Sequence, residues 1–114
     1  MTASESDRSP DGAGRLATGW RVVARNTSVV DIIDALMDMP PHREFNKSEL
    51  AEFADVSRKS VHNHIGLLLA LEVVTEVPKT SPQRYRFNPE GAVASALVRL
   101  DGAVNSVGPN VVDE

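Results

Sequence analysis

Between Ser28 and Met39 the apolar residues Val29, Val30, Ile32, Ile33, Leu36 and Met37 recur every three to four positions. That period predicts an α-helix with one buried face. Asp31, Asp34 and Asp38 fall on the opposite face. They read as solvated surface, because nothing nearby supplies the convergent partner that a metal or catalytic cluster needs. Ser28 with Asp31 fits a capping pair, and Pro40-Pro41 ends the helix for want of backbone donors. A second helix is expected to start after Asn46 and run to Ala54, with Asn46 and Glu49 as its capping pair. Leu50, Ala51 and Ala54 face inward there, with Phe53 beside them. Asp55-Val56 predicts a tight turn, since aspartate tolerates the left-handed backbone that such a turn requires. A third helix is expected from the N-cap Ser57 to about Leu71, with Val61, Ile65, Leu68 and Leu71 along one face. Arg58, Lys59, Ser60, His62 and Asn63 fill its N-terminal half, mostly off that face.

The period then changes. Val73 to Val77 is rich in β-branched residues, and Arg84-Tyr85-Arg86-Phe87 alternates polar with aromatic. With the proline-bearing segment 78–83 between them, they predict a small β-hairpin. A last helix is marked by Asn88 as cap, Pro89 at the first helical position and Gly108-Pro109 as its stop. Val93, Leu97, Leu100, Val104 and Val107 follow at intervals of 4, 3, 4 and 3, the spacing of a coiled-coil seam. Ala92, Ala96 and Ala103 allow close helix approach, so this stripe predicts a dimer interface. The division expected is a polar tail over 1–19, a domain over 20–87, the dimerisation helix over 88–108 and a short tail over 109–114. Trp20, Val22 and Val23 are expected as the first anchored residues, the tryptophan as a packing anchor. Gly12-Ala13-Gly14 lacks the strand and the full glycine pattern of a nucleotide-binding loop.

Composition narrows the function. The 114 residues include no cysteine, which excludes a disulfide scaffold, a cysteine-ligated zinc site and direct thiol sensing. An oxidative or salt-stress role is left only through indirect means. No apolar run reaches the ~20 residues of a membrane span, and the first residues lack a signal-peptide core. A soluble, cytoplasmic protein is expected. The net charge of −4 argues at first against nucleic acid, but the charge is unevenly spread. Residues 27–56 set Arg43 and Lys47 against seven carboxylates, a net of −5. Residues 57–86 set Arg58, Lys59, Lys79, Arg84 and Arg86 against Glu72 and Glu76, a net of +3. Nine arginines accompany only three lysines. Among many carboxylates that bias fits a salt-loving archaeon, or high-GC codon usage.

The run from Lys47 to Ile65 resembles a helix-turn-helix. Ala51 occupies the small-residue position where the helices touch, Leu50, Val56 and Val61 the core positions, and Val56-Ser57-Arg58-Lys59-Ser60-Val61 opens the recognition helix. With the hairpin and the Asn88-Pro89-Glu90 helix start, residues 27–108 resemble a winged helix-turn-helix transcription regulator, similar to small haloarchaeal regulators. Asp55 stands where glycine is usual in the turn, and Glu72 where many relatives have glycine before the wing.

The resemblance implies a mainly α fold with a β-hairpin wing and a C-terminal dimerisation helix. It implies a homodimeric, sequence-specific regulator acting on promoter pseudo-palindromes in double-stranded DNA, with no cofactor. Arg58 and Lys59 suit phosphate or guanine, Asn63 suits adenine, and Ser60 and His62 suit either. Ser57 with the helix N-terminus, and Lys47 with Ser48, suit the backbone. Lys79, Arg84 and Arg86 would reach phosphates or the minor groove from the wing. His62 and His64 lie two apart on a helix, ~200° around it, so they do not share a metal. No nucleophile–base pair is legible, and no enzyme is expected. The alternative is a protein-interaction module on the same fold that uses the groove face without binding DNA.

Overall fold

The computed structural model describes residues 18–108. Those residues form α1 (Arg21–Ala24), α2 (Thr27–Asp38), β1 (Glu44–Phe45), α3 (Lys47–Ala54), α4 (Arg58–Ala70), β2 (Val74–Val77), β3 (Arg84–Phe87) and α5 (Ala92–Val107). The fold is mainly helical with a small antiparallel sheet in the order β1-β3-β2. The tails expected at the two ends lie outside the described residues, apart from Thr18 and Gly19.

Local signals account for most element boundaries. Asn46 caps α3 through Oδ1, which accepts from Glu49 N–H at 2.8 Å, while the Glu49 carboxylate accepts from Asn46 N–H at 2.9 Å. The expected capping box is therefore complete. Asp55 closes α3 in the left-handed region at φ 57°. Ser57 caps α4, its Oγ accepting from Ser60 N–H at 3.0 Å. Glu72 takes φ 60° directly after the Leu71 cap of α4. Both places where the resemblance expects glycine thus keep the glycine-like backbone without the glycine.

Four expectations are corrected. The cap of α2 is Asn26 rather than Ser28, because the short α1 ends just before it and the chain turns extended at Asn26. Asn26 Oδ1 accepts from Ser28 N–H at 2.9 Å and Val29 N–H at 3.4 Å. The last helix begins at Ala92 with Gly91 as its cap, not at Pro89. Asn88 instead donates from Nδ2 to the Glu72 carbonyl at 2.9 Å, tying the end of β3 to the end of α4. A Cβ at Gly91 would lie 2.8 Å from both Asn88 Nδ2 and Glu72 O, so glycine is required at this crossing. The sheet has a third strand, β1, which pairs Glu44 with Arg86 and Phe45 with Tyr85. Trp20 is 58% exposed and anchors nothing by burial; Val23 beside it is buried.

The core is continuous across the elements. Ile32 and Leu36 of α2, Leu50 of α3, Val61 and Leu68 of α4, and Phe45, Val73 and Val74 are all fully buried. The Phe45 and Tyr85 rings stack across the strands at 6.3 Å. Burial pushes the Tyr85 hydroxyl pKa up, and the Glu76 carboxylate adds to that rise. Ala94 and Leu97 bring the start of α5 onto the domain.

Candidate nucleic-acid interface

The start of α3 and the start of α4 meet at one surface. Val56 N–H donates to the Ala51 carbonyl at 3.0 Å across the left-handed turn, which fixes the direction in which α4 departs. Ala51 is buried, with no side chain beyond Cβ to hold the helices apart. With Val61, Ile65 and Leu68 turned inward, the period of α4 leaves Arg58, Lys59, His62 and Asn63 exposed.

Two side-chain contacts stitch this surface together. Arg58 Nε donates to Ser48 Oγ at 2.8 Å. Lys47 Nζ lies 3.1 Å from His62 Nδ1, within hydrogen-bond reach. Ser57 and Ser60 are engaged in the α4 cap, their hydroxyls 3.1 Å apart. Beside them a depression of about 170 Å³ is lined by Asn46, Lys47, Ser48, Arg58, Pro82, Gln83 and Tyr85, so the hairpin loop borders the same patch. Lys79 is exposed in that loop at φ 62°. Thr80 holds the loop closed, donating to the Val77 carbonyl at 3.0 Å and accepting from Arg84 N–H at 2.9 Å.

Arg84 and Arg86 are placed differently. Arg84 Nη2 donates to the Glu44 carbonyl at 2.9 Å and to Glu49 Oε1 at 3.1 Å, and its Nε lies 3.6 Å from Glu44 Oε1. Arg86 Nη2 pairs with Glu44 Oε2 at 3.3 Å. These are the ion pairs of the described residues, and together they turn both β3 arginines toward β1 and α3. The Glu49 pKa is held below its ordinary 4.5, first by the Asn46 N–H bond and then by Arg84, against the cost of burial. Glu44 and Glu49 are site residues that sequence reasoning missed. Glu49 carried a signal only as a cap, and Glu44 carried none, because a strand of two residues leaves no period.

The expected dimer stripe is split by its surroundings. Leu97 is buried and Val93 packs partly against the core, while Leu100, Val104 and Val107 are 53%, 54% and 90% exposed. An apolar groove of about 540 Å³ between α1 and α5 includes Trp20, Val22, Leu71, Val93 and Leu100. A second of about 330 Å³ on the other side of α5 includes Trp20, Val30, Met37, Leu100 and Val104.

Among the described residues no group of three or more histidine and carboxylate side chains is arranged to hold a metal ion. None of their helices is long and apolar enough to cross a membrane. Comparison with protein-family models, with curated proteins and with solved structures finds no match for this chain.

Proposed function

We propose that the chain is a winged helix-turn-helix transcription regulator rather than an enzyme, binding double-stranded DNA as a homodimer. The observation that carries the reading is the joined start of α3 and α4. A tight left-handed turn and a buried alanine set the helix pair, and Lys47, Ser48, Arg58 and His62 share one exposed surface through direct contacts. Lys59 and Asn63 extend that surface along α4. Donors on the N-terminal turns of such a helix suit base edges and phosphates in a major groove. The exposed Leu100, Val104 and Val107 support a second copy packed along α5.

Selection from a random duplex library would yield the operator, and fluorescence anisotropy on it would measure affinity. Arg58→Ala is expected to weaken binding about tenfold or more, within the range of one lost bidentate contact. An unchanged affinity refutes the contact assignment, and no duplex binding even at low salt refutes the whole reading. The pairing of both wing arginines with carboxylates favours a second reading, a protein-interaction module on the same fold. That module would bind no DNA at any salt.

A further inference from the structure

We propose that Glu44 and Glu49 mask the wing arginines from nucleic-acid phosphate, holding the groove face in a weak-binding state that DNA must open by displacing them. The proposal rests on the DNA-binding reading and assigns a regulatory contact within it. Carboxylate and phosphate present the same paired acceptors to a guanidinium. Glu49 Oε1 and two oxygens of Glu44 already surround Arg84, and Glu44 Oε2 takes Arg86. The arrangement is built into the strand register, because Glu44 stands directly opposite Arg86 in the β1–β3 pair.

The mask is exchangeable. The paired side chains retain between 31% and 45% of their accessible surface, so water and salt compete for each contact. The mask also leaves donor capacity unused, since Arg86 Nε is buried with no hydrogen-bond partner. Arg58 and Lys47 differ in kind. Their contacts are to a neutral hydroxyl and an imidazole, so their charge meets DNA without displacing a carboxylate.

The test is fluorescence anisotropy of the full chain on a random-sequence duplex, titrated with salt. It compares wild type with Glu44→Gln/Glu49→Gln, each with and without Arg84→Ala/Arg86→Ala. The glutamine variant is expected to bind at least about fivefold tighter at ~100 mM salt, with the log–log salt slope steeper by about 0.9 for each arginine freed. The arginine substitutions are expected to cost little in wild type and to remove that gain in the glutamine background. A glutamine variant that folds by circular dichroism yet keeps the wild-type affinity and slope overturns the proposal. So does an arginine loss of equal size in both backgrounds. Glu44→Gln alone leaves the α3 capping box intact, and about half the change in slope is expected from it. Arg58→Ala separates the two levels: where it weakens every background but the glutamines change nothing, the mask fails and DNA binding stands. Where no background binds duplex, both fail.

Discussion

In α4 the apolar positions Val61, Ile65 and Leu68 are all buried, whereas in α5 only Ala94 and Leu97 are. Every residue from 98 to 107 is exposed, including Leu100, Val104 and Val107 of the same stripe. The two helices carry similar spacing and meet different surroundings. α4 lies against α2, α3 and β2, while beyond Leu97 α5 buries none of its residues, and Leu100 and Val104 border open grooves shared with Trp20 and α2. Periodicity therefore reports that a helix has an apolar face, and the tertiary arrangement decides whether the same chain covers it.

Substitutions on the two helices sharpen this contrast. Leu68→Ala is expected to lower unfolding stability by about 2–5 kcal/mol in a urea titration, since it empties a fully buried site. A loss within the range of ordinary surface changes would break the comparison. Leu100→Ser with Val104→Ser is expected to leave the protomer's fold unchanged and to raise the dissociation constant of the proposed dimer at least about tenfold. Sedimentation equilibrium measures that constant, and a monomeric wild type would remove the proposed role of α5.

A smaller effect tests the joined helix starts. Asn46→Ala deletes the acceptor for Glu49 N–H and is expected to cost about 1 kcal/mol. A cost near zero by chemical denaturation would show that water replaces the cap without loss.

The α3–α4 region was legible because its signals are local. Asn46 and Glu49 lie three residues apart, Asp55 suits a left-handed turn, and Ser57 caps α4. The inward face of α4 also left Arg58, Lys59, His62 and Asn63 outward by period alone. The missed features depend on distant partners or on very short elements. α1 has four residues and no side-chain cap, and β1 has two residues defined only by pairing with β3. Pro89 suits a helix start, but the Asn88 contact with Glu72, sixteen residues away, moves the start to Ala92. The β3 arginines read as available for the same reason: their partners lie 35 to 42 residues earlier in the chain.

The smallest expected effect is an acid dependence at the capping box, where the local and distant partners of Glu49 meet. Its carboxylate accepts from Asn46 N–H at 2.9 Å and from Arg84 Nη2 at 3.1 Å. The Asn46 bond is the larger cause of its lowered pKa, with Arg84 adding to it. A carboxyl group whose pKa falls on folding contributes stability above its unfolded pKa, here near the ordinary 4.5. That contribution is lost as pH falls from about this value through the lower folded pKa. Thermal unfolding followed downward from about pH 6 is expected to show a slightly steeper acid decline in wild type than in Glu49→Gln, whose amide has no carboxyl proton to gain. Adding Arg84→Ala should reduce the wild-type decline only in part, because the Asn46 bond remains. Complete loss of the difference with Arg84→Ala would make the distant ion pair, rather than the local cap, the source of the acid dependence.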